Sequence, residues 1–352
     1  MSGNGLERER VSGIQRARLL AAVTEVACER GAGNVTVAHV VERAGVSRRT
    51  FYELFEDRED CFLAAFDEAV ARASGCVLDA YDPDAKWEVR IRASLAAVLW
   101  FLDVERDAGR LLIVESLGAG AKALERRKCV LDRMVAVVEE GGTESRSGAS
   151  VRVRVPSGEA PSSRAKAPSS EQAEPLPLMA EGVVGGVLSV LHARLLESHP
   201  GRLVELTGPL VSMIVLPYLG APAARRELAR RPVPLADTTR LYTGGDPLRG
   251  LEMRLTYRTV RVLLSVAAKP GSSNREVGDA AGIADQGQIS KLLSRLERLG
   301  LVRNAGLAPG RGAPNEWTLT PKGLEVERAM STGAMGDGKP DEAQQASVGS
   351  SR

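Results

Sequence analysis

The sequence predicts an all-α chain that closes with a small α+β module. Three observations lead there. Apolar residues recur at helical spacing through most of the chain, short helix patterns are punctuated by capping residues and glycines, and two β-type runs able to pair lie near the C-terminus. The 352 residues exceed what one small core needs, so two or three domains are expected. A hydrophobic fraction of 43% with 26% charged residues is the composition of a globular chain.

The elements follow in order. Leu19, Ala22, Val23 and Val26 fall at i, i+3, i+4 and i+7, which predicts an amphipathic helix over 15–29, stopped by Gly31. Thr36 is an N-cap for a short helix over 37–44 whose inner face is Val37, Val40 and Val41. Gly45 supplies the positive φ needed to leave that helix sharply, and Ser47 caps a third helix carrying Phe51, Tyr52 and Phe55. Two short helices joined by a glycine-containing turn are a helix-turn-helix, whose second helix can enter a DNA major groove. The exposed positions after the cap are Arg48, Arg49, Thr50, Tyr52 and Glu53. Arginine can read guanine bidentately, while hydroxyls and helix-start N–H groups hold phosphates. Charge alone does not point to DNA: residues 36–60 hold 4 Arg against 6 Asp and Glu, a net of −2. Arg8, Arg10, Arg16 and Arg18 offset this in part against Glu7 and Glu9, and a solvated helical hairpin would have the same composition.

Further on, helices over 84–104 and 108–140 place Trp87, Val98, Trp100, Leu102, Leu111, Leu112, Leu131 and Val135 inside. The run from Gly118 to Lys122 has neither GxxxxGK[ST] spacing nor a preceding strand and is no phosphate loop. In 141–177, Gly, Ser and Pro make up 17 of 37 residues, the composition of a flexible insert; within it 151–155 alternates like a lone strand. A helix over 179–197 is apolar nearly all round, yet holds Gly182, Gly185 and Gly186, each costing roughly 1 kcal/mol relative to Ala. Close approach of another helix is the expected compensation. Residues 206–224 carry no charge over a length that could cross a bilayer, but Gly208, Pro209, Pro217, Gly220 and Pro222 interrupt them. A buried interface helix over 203–219 is therefore expected, and 221–247, with Arg225, Arg226, Arg230, Arg231, Pro232 and Pro234, reads as a linker.

In the last block Val260, Leu263, Leu264 and Ala267 mark a helix ending at 269–271. Ser273 to Glu276 is a capping box opening a second helix, with Val277, Ala280 and Ile283 inward and Gly282 as the turn. Ile289, Leu292, Leu293, Leu296 and Leu299 stripe a third helix. Runs at 301–303 and 317–319 pair as strands around a loop carrying Arg311, and Thr320-Pro321 opens a last helix. Helix, helix, helix, hairpin, helix is a winged helix. Its third helix exposes Gln286, Gln288, Ser290, Lys291, Ser294 and Arg295, and residues 246–330 hold 13 Lys and Arg against 9 Asp and Glu, a local +4. The tail after Met330 is rich in Gly, Ser and Gln and is expected to be disordered.

Several classes drop out. Cys28, Cys61, Cys76 and Cys129 form no CxxC pair and only three histidines exist, so neither a disulfide scaffold nor a metal site is expected. No GxSxG, HExxH or nucleotide loop occurs, which argues against an enzyme and against a bound cofactor. The first 13 residues lack the apolar core of a signal peptide, so a cytoplasmic location without membrane attachment is expected.

Thr36-Val-Ala-x-Val40, Ala44-Gly-Val-Ser47, Arg48-Arg-Thr-Phe-Tyr52 and the run from Phe55 to Asp60 stand in an order that resembles the TetR family of bacterial repressors, over 14–71. The resemblance implies a DNA-binding head over 1–74 and a helical dimerisation and effector-binding domain over 75–220. Thr36, Ser47, Arg48, Arg49, Thr50, Tyr52 and Arg58 would then lie at the DNA. Glu53 stands where that family often has His or Arg, and Glu56 where it often has Lys. The resemblance also implies a homodimer interface in the two helices holding Gly182, Gly185, Gly186, Leu210 and Ile214. It further implies a pocket for an unknown small-molecule effector, for which Trp100, Phe101, Met134 and His192 are candidates. Residues 248–330 are similar to the MarR-type winged helix, which implies a second contact with double-stranded DNA through Gln286, Gln288, Ser290, Lys291, Arg295 and Arg311. The alternative is a helical scaffold in which the winged helix serves protein contact instead.

Overall fold

The computed structural model of the chain describes residues 3–149, 178–197, 201–230, 257–306 and 315–332. Most of 141–177 and 221–247, all of 333–352, and Arg311 lie outside the described residues. Two compact units gather the elements. One combines Met1–Ala22, Thr36–Asp57 and Thr243–Arg352; the other combines Val23–Val35 and Arg58–Tyr242.

In the first unit, helix α1 (Gly3–Arg30) begins twelve residues before the start that the apolar period predicts. The reason is tertiary. Val11 and Ile14 are buried in one apolar cluster with Val260, Leu263, Val277, Ile289, Leu293 and Trp317, partners supplied from the other end of the chain. Helix α2 (Val37–Ala44) is capped by the Thr36 hydroxyl, which accepts from the His39 N–H at 3.3 Å. Gly45 ends it in the left-handed region at φ 63°, where a side chain would be strained. Helix α3 (Arg48–Leu54) follows, with Phe51 fully buried.

The C-terminal part of this unit repeats that local design. Helices α10 (Tyr257–Ala268), α11 (Asn274–Ala281), α12 (Gln286–Arg298) and α13 (Pro321–Thr332) surround a two-stranded antiparallel sheet, β1 (Val302–Asn304) with β2 (Trp317–Leu319), in the register Val302 to Leu319. The capping box is formed in full, and the Lys269 ammonium with the Ser273 donors holds the Glu276 carboxyl down at about 2. Gly282 ends α11 at φ 65° and ψ 34°, against 63° and 31° at Gly45. The two helix-turn-helix corners thus share one backbone conformation. Ala280, expected inward, is exposed and Ala281 is buried instead, since Ala281 falls four residues after buried Val277 on the same helix face. Gly323 is packed so closely on the Leu301 carbonyl that a Cβ there would overlap it.

In the second unit α4 (Arg58–Ala80), α5 (Trp87–Val104), α6 (Arg106–Ile113), α7 (Ala121–Ala149), α8 (Met179–Leu196) and α9 (Thr207–Ala229) enclose one core. The helix expected over 108–140 is split in two: Gly120, at φ 110°, precedes α7. Two further boundaries move. Residues 141–149, compositionally part of an insert, continue α7, and Trp87 packs so closely on Gly141 that a Cβ would overlap its ring. The Trp87 ring N–H also donates to the Val137 carbonyl at 3.0 Å.

Residues 221–229, expected in a linker, complete α9. Gly220 is non-helical at φ 77° and reverses the chain, so that the carbonyl of Glu227 comes within 3.1 Å of where a Cβ on Gly208 would stand. There Glu227 meets Arg92 at 2.8 Å, with side-chain exposures of 5% and 6%. Helices α8 and α9 are long and apolar enough to cross a membrane, and both contribute residues to this core, with 33% and 50% of the apolar windows buried.

Candidate nucleic-acid interface

The first head is built from two capped helices that aim one polar face outward. Ser47 accepts from the Thr50 N–H at 3.1 Å, and the two hydroxyls lie 2.8 Å apart, which fixes the first turn of α3. Phe51, packed edge-on to Tyr52 and at 5.7 Å from Phe55, anchors the inner side. The outer side is then Arg48, Arg49, Tyr52 and Glu53, all exposed, with Thr36 exposed at the start of α2. Of these side chains Tyr52 is an aromatic ring 59% exposed to solvent.

Not every expected contact is equally placed. Arg49 donates from Nε to Glu53 at 2.8 Å, so its guanidinium is paired within its own helix. Arg58 is used differently from the expectation: its Nη1 donates to the carbonyls of Gly33 and Val35 at 3.1 and 2.7 Å. That bond braces the chain just before Thr36, so Arg58 acts as a positioning residue for α2. Periodicity gave no sign of the Arg16 guanidinium, which lies 5.8 Å over the Phe55 ring and ties α1 to the end of α3.

In the C-terminal block Gln286, Gln288, Ser290, Lys291, Ser294 and Arg295 are all exposed along α12. Asp285 caps that helix, accepting from the N–H groups of Gly287 and Gln288 at 2.8 and 3.2 Å. Its signal in the sequence was the acidic residue directly ahead of the apolar stripe. Arg258 donates to the Gln288 carbonyl oxygen at 3.1 Å, which orients that amide, and Arg303 on β1 adds a further exposed cation.

The remaining candidates separate. Leu210 and Ile214, expected at a dimer interface, are 4% and 5% exposed within the single chain. Both belong to the core of the second unit. Among the described residues, nothing lies within 4 Å of where a Cβ on Gly182 or Gly185 would stand, and Gly186 meets the end of Met213. Among the effector candidates Phe101 is a core residue, Trp100 packs half-buried against that core and His192 is half-buried on α8. Met134 lies exposed on α7.

A capped helix-turn-helix with an exposed arginine and tyrosine face defines a DNA-binding head. The family model described as bacterial regulatory proteins, tetR family, matches residues 19–65, so this segment is similar to the N-terminal DNA-binding domain of that family. A solved TetR-like transcriptional regulator from Rhodococcus sp. RHA1 is similar at 14% identity, over 59% of this chain and 97% of its own, with a TM-score of 0.40. The transcriptional regulator FadR from Bacillus subtilis, solved in complex with stearoyl-CoA, is similar at 15% identity, over 58% of this chain and 98% of its own, with a TM-score of 0.42.

Proposed function

We propose that this protein is a homodimeric transcription regulator, a repressor that binds a palindromic operator and is released by a small-molecule effector. The observation that carries the proposal is the exposed start of α3, with Arg48, Arg49 and Tyr52 outward, inside the segment that matches the family model. A helix of seven residues spans few base pairs, and a two-fold pair doubles the site it can discriminate. The open glycine face of α8, with exposed Leu196 nearby in sequence and Leu216 on α9, supports the pairing of two chains. The winged helix is a second DNA head in this proposal, supported by the exposed Gln288 and Lys291 of α12 and by the matching corner geometry of α11 and α12.

Selection of genomic DNA fragments on the purified full-length protein tests it. An enriched palindrome, lost on Arg49→Ala while the dimer persists, is the expected result. No enrichment in about 100 mM salt, where non-specific attraction is weakened, would overturn the proposal.

A further inference from the structure

The two DNA heads are joined by more than the intervening chain. Val11 and Ile14, one turn apart on α1, are 3% and 5% exposed inside the core of the winged helix. Two residues beyond Ile14, Arg16 lies over Phe55 at the end of α3. Leu19 and Leu20, 0% and 3% exposed, continue the buried face of α1. The seat of one head and the anchor of the other are thus within about one turn of a single continuous helix, a rise of roughly 3–8 Å. A helix of that length does not bend appreciably between two packed cores. The residues concerned, with α2, α3 and α10–α13, belong to one compact unit.

We infer that each protomer reads DNA as a bipartite half-site, α3 and α12 being held by α1 at one fixed separation and angle. The inference rests on the proposal that the winged helix binds duplex DNA. It adds that the second contact is rigidly phased to the first and does not search independently. The chemistry of α12 sets the second element: Gln286 and Gln288 present amides suited to adenine edges, and Lys291 and Arg295 suit guanine or phosphate.

The test begins from sites selected on the full chain. A primary element flanked by a second motif is expected, and insertion of 5 base pairs between them, half a helical turn, should weaken binding tenfold or more. Insertion of 10 base pairs should also weaken it, because a rigid unit cannot stretch. Lys291→Ala with Gln288→Ala, both at exposed positions that leave the core intact, should remove the benefit of the flanking motif and leave binding to the primary element unchanged. Tolerance of the 5-base-pair insertion within about twofold by the unaltered chain overturns the rigid coupling, while leaving the winged helix as a DNA reader. Absence of any flanking motif, together with no effect of the two α12 substitutions, overturns the reading on which it rests.

Discussion

Arg49, proposed to read DNA, is paired within its own helix. Its Nε donates to Glu53 at 2.8 Å on an exposed helix face, a contact screened by water and salt and readily exchanged for phosphate or a guanine edge. Glu53 would then remain beside the DNA as a like charge. Glu53→Gln keeps the side-chain shape, removes that charge and is expected to tighten operator binding on the order of threefold, read by fluorescence anisotropy in about 100 mM salt. Weaker binding by the variant would mean that Glu53 orients Arg49 and does not compete with DNA. The cysteines give a second residue-scale prediction. Burial, with Asp107 nearby, pushes the Cys28 thiol up to about 12, and its Sγ donates to the Asp107 carbonyl at 3.4 Å. At pH 8 that group is almost wholly thiol, while only thiolate attacks an alkylating reagent. Iodoacetamide should therefore modify exposed Cys129 first, with Cys28, Cys61 and Cys76 reacting only once the protein unfolds. Peptide mass spectrometry decides it, and early labelling of Cys28 would mean that its surroundings open in the native state.

At the scale of elements, what was legible was what local chemistry writes down. Thr36, Gly45 and Ser47 bounded α2 and α3, and the Ser273–Glu276 box, Gly282 and Thr320 bounded α11 and α13, because caps and left-handed corners depend on residues within four positions. What was illegible depended on distant partners. Residues 141–149 hold glycines that look like a linker, yet Gly141 is the site where the Trp87 ring packs on α7. Residues 221–229 look basic and exposed by composition, yet Glu227 among them is the buried partner of Arg92. That pair fixes the folded-back end of α9 on α5. The two side chains are 5% and 6% exposed, and Glu227 also pairs with Arg230 at 3.0 Å, so removing Glu227 takes a carboxylate from two arginines, one of them buried. Glu227→Ala is accordingly expected to cost about 3–5 kcal/mol in urea unfolding. The double change of Glu227→Leu with Arg92→Met should recover most of it, and a single variant as stable as the parent would show that water reaches Arg92.

The whole molecule shows the same limit in its strongest form. A winged helix is expected over 248–330 because stripes and caps follow one another locally there, and the described residues from 257 onward form four helices and a two-stranded antiparallel sheet. The first turns of α1 carried no helical period of their own. Only the folded chain brings Val11 and Ile14 into the core formed by Val260, Leu263, Ile289 and Leu293, so a pattern read along the sequence cannot record the association. The consequence is that the stability of the C-terminal head depends on a residue near the N-terminus. Ile14 is 5% exposed there, and Ile14→Ala removes buried methyl and methylene groups from a close-packed site, which costs about 2–5 kcal/mol. Because the cavity opens inside the winged-helix core, the loss should appear in the amides of Val262, Leu263 and Leu293, read by native-state hydrogen exchange on the full chain. Amides of the second unit, such as those of Leu99 and Val211, share no partner with Ile14 and should exchange as before. Faster exchange confined to α1 itself would mean that the winged helix holds its core unaided and that the N-terminal turns only rest on it.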